Sequence, residues 1–574
     1  MKNLIKISLL LLFPHLVTGQ KISTKHITLE NIPIAKEHVS VITNTNFLLA
    51  GESIYYSFYA FEEDSFSTIS KIGYIELVGA NKNKIVSHKL RLKQGVAQGD
   101  IFIPTKIKTG HYKLLGYTNW TKNNTTQHSF AKDIFIINPF TTSSIIKVKN
   151  TTINISKKEK LIAQTIKNRN ISLTTSKTNY KTREQIKINV LNDGNKIIQN
   201  GNYTLSIRKL DSINIDNTVS NHNITSKTNN NAIYIPELRG ELISGKITNV
   251  KNVKAIKNVN ISLSITGKDY IFKIAKTNSN GEFYFNLADD YLNEKGTFQV
   301  IDANKEDYII NLDTNEYNNY DALTFNTLRL NPTLKYNIEQ RSIQNQIENA
   351  YYQNKQDSIT TTKSSKPFYY PLGTEYILDD YTRFKTVRET FIEVVLDAAV
   401  RINNESSRFI IYDYQARDNN SVINSLKPLI LVDGIFVENN DDLLYYNCDN
   451  IKKITIVRGQ YLYGSKLFDG IIDVETFLKD FKSSVKGDFI KEVTIKKPIR
   501  VKAYHQPDYS NNKTNRIPDY RRQLLWNPNI SLTNKALSFS TYASDNTGTF
   551  EVLLQGYDAN GKPITTNSYF TVSK

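Results

Sequence analysis

One stretch, Pro428–Thr476, constrains the fold of this chain more than any other part of the sequence. It contains three runs rich in Ile, Leu and Val, with short polar segments between them. The first run, Leu429–Val432, has no polar side chain, which is typical of a strand covered on both faces. Asp433-Gly434 follows it, and both residues adopt turn dihedrals at low cost. The other runs lie in Ile451–Gly459 and Gly470–Thr476, so the stretch predicts a small mixed sheet.

The order of these motifs resembles the plug domain of TonB-dependent outer-membrane receptors. In that family a strand ending in Val-Asp-Gly precedes an Ile-rich strand ending in Arg-Gly, then a Tyr-Gly pair and a closing strand that ends in Thr. The matching residues here are Val432, Asp433, Gly434, Arg458, Gly459, Tyr463, Gly464, Gly470 and Thr476. The receptors carry an Ala/Gly-rich stretch where this chain has Ser465–Asp469. The resemblance implies an α+β plug-like domain over residues 367–480.

A helix is predicted within this plug-like domain. Thr386 and Glu389 have the spacing of a capping box, and an apolar stripe that includes Phe391 and Val395 follows them. We expect this helix to flank the small mixed sheet.

The plug-like unit is not expected to close a pore of its own. A receptor plug lies inside a transmembrane barrel of many strands, each about 10 residues long. Residues 477–574 are too few for such a barrel, so we expect none after Thr476. The unit would then act by contacting another molecule.

The segment 21–140 shows short alternating runs broken by polar turns, which favours an antiparallel β-sandwich. The phrase Gly110–Trp120, with Ile134 and Ile136–Pro139 after it, resembles the macroglobulin-type sandwich of many exported Bacteroidetes proteins. Tyr112, Leu114 and Gly116 are expected on one strand face, and Trp120 is expected to cap the core.

The remaining segments also favour β structure. Residues 141–213 are predicted to form a second macroglobulin-like sandwich, and 214–234 a linker. Residues 235–330 resemble the carboxypeptidase regulatory-like sandwich, through motifs in Ile243–Thr248, Asn258–Leu263 and Thr277–Phe285, where Asn280-Gly281 predicts a tight hairpin. Such sandwiches are non-enzymatic. Residues 331–366 are predicted as a helix and linker, and 481–574 as a C-terminal sandwich. The fold class is therefore mainly β: tandem antiparallel β-sandwiches with one α+β plug-like domain.

The amino end predicts export. Lys2 and Lys6 precede the apolar stretch Ile7–Phe13, and Val17–Gln20 offers small residues for cleavage, so residues 1–20 are expected to be a signal peptide. No later run is long and apolar enough for a spanning helix, so we expect no helical membrane anchor.

Net charge does not point to nucleic acid as a partner. The formal charge is +18, but the basic residues are scattered and form no dense run with interleaved aromatic residues. The single cysteine, Cys448, is expected to be a packed side chain and not a nucleophile.

No catalytic or metal-binding pattern emerges. Gly240–Lys246 and Gly556–Lys562 have the spacing of phosphate-binding loops, but each lacks the following Ser or Thr, so both are predicted as hairpin turns. The histidines have no zinc spacing, and Asn439–Asp442 lacks the alternating ligands of a calcium loop. We therefore expect no enzyme activity, no cofactor and no metal.

Two functions remain open. The first is a non-catalytic, outer-membrane-associated binding or scaffold protein with a protein partner in the outer membrane or periplasm, which assists uptake or surface machinery. The alternative is a secreted adhesin or cargo protein, with Trp526–Lys574 as a sorting or anchoring domain.

Overall fold

The computed structural model describes residues 36–123, 129–141, 152–158, 163–215, 222–224, 234–267, 269–313, 320–360, 366–403, 406–412, 426–510 and 516–574. The expected signal peptide, residues 1–20, lies outside this part of the chain. The fold is mainly β with many antiparallel sheets, as the sequence predicts. Strands and helices are numbered in chain order. Among the described residues, no helix has the length and apolar character needed to cross a bilayer.

The first sandwich is built from two antiparallel-rich sheets. The strands of the first sheet are β1 (Glu37–Thr43), β3 (Ser53–Glu62), β4 (Ser65–Phe66) and β7 (Val96–Phe102). Those of the second sheet are β2 (Phe47–Leu49), β5 (Ile72–Gly79), β6 (Lys84–Arg91), β8 (Gly110–Tyr117), β9 (Ser129–Ile137) and β16 (His222–Ile224). Strand β16 pairs with β9 although it falls inside the predicted linker 214–234, so that segment does more than connect domains. The rest of the predicted linker is described only at its two ends.

Strand β8 confirms one prediction and corrects another. Tyr112 and Leu114 are buried in the sandwich core, and a Cβ at Gly116 would meet Val41 of the same core, so the three residues share one face. Trp120 is only half-buried and is not part of this core. The reason is that the chain turns directly into a 3₁₀ helix, Trp120–Asn123, which buries Thr121 and Lys122 instead.

A second sandwich is assembled from two distant parts of the chain. One sheet contains β11 (Ile171–Thr175), β13 (Gln185–Asn192) and β35 (Ala536–Tyr542). The other contains β12 (Asn179–Lys181), β37 (Pro563–Ser573), β36 (Gly548–Tyr557), β14 (Asn202–Lys209) and β34 (Gln523–Ile530), and the short helix α1 (Lys196–Gln199) lies between β13 and β14 in the chain. We call this unit the composite sandwich.

The composite sandwich corrects the two separate sandwiches predicted for 141–213 and 481–574. Strand β14 is central, because β34 and β36 pair with its two edges. Leu205 and Ile207 lie in one core with Val552 and Leu554, and all four are fully buried. The alternating pattern of a strand shows which side chains are buried, but not which other strands cover them.

The sandwich predicted for residues 235–330, which we call the regulatory-like sandwich after that prediction, also needs a strand from further along the chain. One of its sheets contains β17 (Glu241–Asn249), β20 (Glu282–Leu287) and β22 (Tyr308–Leu312). The other contains β18 (Asn260–Ile265), β19 (Ile271–Lys276), β21 (Lys295–Val300) and the later strand β32 (Ile490–Thr494).

The turns predicted around glycine residues in this sandwich have mixed outcomes. Gly281 has the expected positive φ of +75°. It joins β19 to β20, which belong to different sheets, so this turn is not the predicted tight hairpin. Gly240–Lys246 likewise lies mostly on β17, whereas Gly556–Lys562 forms the predicted hairpin turn between β36 and β37.

The segment 367–480, which we call the plug-like domain after the sequence prediction, contains the small mixed sheet that the sequence predicts. Its sheet strands are β25 (Thr374–Ile377), β30 (Ile451–Tyr463), β31 (Lys466–Thr476), β28 (Leu429–Val432) and β29 (Ile435–Phe436), in that spatial order. Only the β28–β31 pair is parallel. Helix α3 (Val387–Glu393) begins at the Thr386–Glu389 capping box and buries Phe391 in the same core as Ile454 and Ile472. The hairpin β26 (Ala398–Asn403) and β27 (Ser406–Ile411) and the short helix α4 (Asp441–Leu444) complete the domain.

A small three-stranded sheet and one long helix connect these units. The sheet contains β15 (Ile213–Ile215), β10 (Thr152–Lys157) and β23 (Thr327–Leu330). Strand β10 therefore lies outside the sandwich predicted for 141–213. Helix α2 (Lys335–Ala350) confirms the helix predicted in 331–366, and the ribbon of β24 (Ser358–Ile359) and β33 (Lys502–Ala503) follows it.

The order of the strands nests one unit inside another. The plug-like domain lies in the chain between β22 and β32, so it is inserted in the regulatory-like sandwich. That sandwich lies between β14 and β34, so it is inserted in the composite sandwich. Neither sandwich is complete until the chain returns from the inserted domain.

Candidate functional site

The Val-Asp-Gly motif ties two strands of the plug-like sheet together. Val432 is fully buried, and Asp433 adopts a positive φ of +52° and is also buried. The carboxylate of Asp433 accepts hydrogen bonds from Thr476 at the end of β31, from the amide to Oδ1 at 2.8 Å and from the hydroxyl to Oδ2 at 2.6 Å. The Nζ atom of Lys479 lies 3.6 Å from Oδ1. These contacts therefore hold the turn after β28 against the end of β31, and the buried Asp433 carboxylate is not exposed to a ligand.

Three other motif residues lie against the regulatory-like sandwich. A Cβ atom at Gly434 would lie 2.5 Å from the side chain of Tyr270, and one at Gly464 would lie 2.7 Å from the Ile274 carbonyl oxygen. The hydroxyl of Tyr463 donates to the carbonyl oxygen of Phe272 at 2.6 Å. All three contacts fall on strand β19 or directly before it, so the motif holds the two domains together.

A buried carboxylate completes this junction. The hydroxyls of Tyr270 and Tyr369 both donate to Oδ2 of Asp473, each at 2.6 Å. Burial raises the pKa of the Asp473 carboxyl above its ordinary value. We call this contact between the domains the seam, formed by Tyr270, Phe272, Tyr369, Tyr463 and Asp473. Sequence reasoning did not single out Asp473; the available signal was a carboxylate in the middle of an apolar strand.

The remaining motif residues lie away from the seam. Arg458 has its guanidinium 3.5 Å from Asp397 and is about half exposed. Gly459 lies at a register shift between β30 and β31, with no neighbouring atom within 4 Å of a Cβ. A Cβ at Gly470 would press on Val457 and Ile411. The nine motif residues therefore do not converge on one binding site.

Two glycines of the motif allow a matched test of the seam. Gly434 and Gly459 have nearly the same φ, +84° and +80°. We expect Gly459→Ala to cost about 1 kcal/mol, which is the strain of a left-handed alanine. We expect Gly434→Ala to cost about 1–3 kcal/mol more, because its methyl group would overlap the Tyr270 ring. Urea denaturation measures both; equal losses would mean that Gly434 is not closely packed at the seam.

One edge of the plug-like sheet is open, and exposed apolar side chains lie on its edge strand and in the segment that follows that strand in the chain. Strand β25 pairs only with β30, which leaves its other edge without a strand partner in the described chain. Ile377 on β25 is 42 % exposed, Ile392 and Leu396 after it are 63 % and 75 % exposed, and Tyr381 is exposed too. The hydroxyl of Tyr376 accepts the Leu396 amide at 3.2 Å, which brings Leu396 beside β25. We call these four exposed residues and the free edge of β25 the edge surface.

A cavity of about 690 Å³ lies between the first sandwich, helix α2 and the composite sandwich. A network of ion pairs in this cavity is arranged around Arg341. The guanidinium of Arg341 donates to both oxygens of Glu52 and to Oδ2 of Asp211, each at 2.7 Å. Burial alone would raise the pKa of Asp211, but Arg341, Arg522 and Arg208 lower it to about 2. The network joins residues far apart in the chain, which is why no sequence motif marked it.

Cys448 and the acidic residues suggest no chemistry of their own. Cys448 is buried, its Sγ atom lies 3.0 Å from the Thr390 hydroxyl, and burial raises its pKa. It is the packed side chain that the sequence predicts. Within the described ranges, no group of three or more His, Cys, Asp or Glu side chains is placed to hold a metal ion.

No protein-family model matches the sequence, and no curated protein matches it. Among solved structures the chain is similar to Escherichia coli alpha-2-macroglobulin activated by porcine elastase, at 8% identity over 94% of this chain and 44% of that one, with a TM-score of 0.23. Salmonella alpha-2-macroglobulin reacted with methylamine matches at 9% identity over 94% and 39%, with a TM-score of 0.23. Dimeric latent PorU from Porphyromonas gingivalis matches at 9% identity over 51% and 34%, with a TM-score of 0.16. The chain spans less than half the length of these structures, and TM-scores this low carry no conclusion about function.

Proposed function

We propose that the protein is a non-catalytic binding or scaffold protein associated with the outer membrane of a bacterium, and that its plug-like domain contacts a protein partner there. The edge surface carries this proposal. Exposed apolar side chains beside an unpaired strand edge are features of protein–protein contact sites. The predicted signal peptide and the plug-like motif support an envelope location.

The seam supports this proposal because it fixes the orientation in which the plug-like domain exposes its edge surface. The apolar face of its sheet packs on the regulatory-like sandwich through Phe272, Leu431 and Ile471, which are buried together. A domain fixed in this way offers its remaining surface in a constant orientation. Binding then loses little conformational entropy, because the edge surface does not have to be ordered first.

Pull-down from envelope fractions tests the proposal. We expect the tagged protein to recover an outer-membrane protein, and we expect Leu396→Lys to lose it, because the substitution places a charge in an apolar contact. Tyr336→Lys is the matched control, since Tyr336 is 70 % exposed on helix α2, outside the edge surface. It should recover the same partner as the unaltered chain. Recovery of no envelope protein by the unaltered chain would overturn the proposal, as would equal recovery by Leu396→Lys.

The secreted adhesin or cargo hypothesis finds less support. It requires Trp526–Lys574 to act as a sorting or anchoring domain. That segment supplies most of β34 and all of β35, β36 and β37, whose side chains complete the core of the composite sandwich. A segment that is half of another domain is poorly suited to act as a separable signal.

A further inference from the structure

The cavity beside Arg341 has an end with surplus positive charge. Among the described residues, Arg208 donates to the carbonyl oxygen of Asn44, at 3.3 Å, and Arg522 lies 3.8 Å from Asp211 with no partner for its Nε atom. Both share the carboxylates of Glu52 and Asp211 with Arg341, so three guanidinium groups face two carboxylates. Burial and the neighbouring Arg341 lower the pKa of Arg208 to about 10 and also lower that of Arg522. An anionic group would relieve this repulsion.

A second cluster in the same cavity has surplus negative charge. Lys502 contacts both oxygens of Asp100, at 3.0 and 3.1 Å, whereas Asp357 lies 3.8 Å from it. Two carboxylates therefore share one ammonium group. This cluster has no residue in common with the arginine cluster, and both line the cavity.

Aromatic and amide groups line the cavity as well. Tyr55 and Tyr504 meet edge to face, with ring centroids 4.9 Å apart, and Trp526 lies beside Tyr55. Tyr55, Tyr504 and Gln344 all line the cavity and bring two hydroxyl groups and one side-chain amide to it. Tyr55 sits opposite Asp100 in the β3–β7 pairing, so this aromatic wall adjoins the negative cluster. Such groups suit a ligand with an apolar side chain and its own polar main chain.

We propose that this cavity binds a short peptide with free termini, its carboxylate at Arg208 and Arg522 and its amino group at Asp357 and Asp100. The volume lies within the usual range for small-ligand sites of about 300–1,000 Å³. The Tyr55–Tyr504 wall receives a side chain, and Gln344 pairs with a peptide group. This site is separate from the edge surface and does not depend on the function proposed for it.

Calorimetric titration of the full chain with L-alanyl-L-tyrosyl-L-alanine tests the proposal. We expect millimolar or tighter binding, weakened about tenfold or more when the peptide is amidated at its carboxyl end or acetylated at its amino end, because each cap removes a charge-assisted contact. Binding at unchanged strength by both capped peptides would overturn the proposal. Absence of heat for the free peptide at millimolar concentration would overturn it too.

Two variants assign the ends of the peptide. Arg208→Gln should weaken the free peptide about tenfold but leave the amidated peptide unchanged, and Asp357→Asn should weaken the free peptide but leave the acetylated one unchanged. Folding is not expected to suffer in Arg208→Gln, because burial and the repulsion by Arg341 both disfavour the charge that the substitution removes. Arg239, which is exposed just before β17, serves as the control, and Arg239→Gln should bind like the unaltered chain. Equal weakening of free and capped peptides by either cavity variant would contradict the assigned orientation and the proposal with it.

Discussion

Arg341→Met is expected to lower the free energy of unfolding by about 3–5 kcal/mol. The guanidinium of Arg341 is 5 % exposed and makes three hydrogen bonds to Glu52 and Asp211. Methionine fills similar space but leaves both carboxylates without their main counter-charge. Removal of one partner from a buried ion network costs more than the network contributes, because the remaining charges stay desolvated. Urea denaturation at neutral pH measures the loss.

The controls for Arg341 separate charge from packing. Arg329→Met alters an exposed arginine on β23 and should change stability by no more than about 0.5 kcal/mol. Addition of Glu52→Gln to Arg341→Met should restore part of the lost stability, because Glu52 is then no longer a buried carboxylate without its main counter-charge, while Asp211 keeps Arg208 and Arg522 as neighbours. A double variant as unstable as Arg341→Met alone would contradict this electrostatic explanation.

The same network makes the free energy of unfolding fall as the pH is lowered. Asp211 has a folded pKa of about 2, below its ordinary value of 3.8. Its contribution, roughly 2 kcal/mol, is therefore fully present above pH 4 and is lost as the pH falls towards 2. In Arg341→Met this acid-induced loss should shrink, because the strongest cause of the lowered pKa is gone.

Removal of residues 536–574 is expected to abolish the composite sandwich altogether. The truncation deletes β35, β36 and β37, so β14 loses its β36 neighbour and β13 loses β35. Leu205 and Ile207, which are fully buried, would face solvent. An isolated pair of short sheets cannot bury enough apolar area to offset the entropy of folding. We expect aggregation, and rapid proteolysis within residues 171–215.

A point substitution reproduces the effect without truncation. Leu554→Asp places a charge in the core of the composite sandwich and should cost more than about 4 kcal/mol, whereas Gln555→Asp, next to it on the other face of β36, should cost little. Proteolysis of folded samples distinguishes the two. If residues 171–215 stay protease-resistant in the truncated chain, they form the independent sandwich that the sequence suggests, and the shared core is wrong.

Local rules made several elements predictable from the sequence. The Thr386–Glu389 capping box, the hairpin turn at Asp558–Gly561 and the covered strand Leu429–Val432 all depend on residues close together in the chain. The positions along the chain of the strands within Pro428–Thr476 follow from the same short-range signals. Because each signal spans only a few residues, the sequence alone was enough to locate these elements.

Long-range partners were not visible in the sequence. The alternation in β14 shows that Leu205 and Ile207 are buried, but it cannot show that strands more than 300 residues later bury them. Nor can spacing reveal that Arg341 meets Glu52 and Asp211, or that Gly434 presses on Tyr270. The sequence by itself determined which side chains seek burial and where the chain turns. Only the tertiary structure decided which strands cover these apolar side chains. The free energy of burial depends on the apolar area removed from water and not on the identity of the strand that covers it.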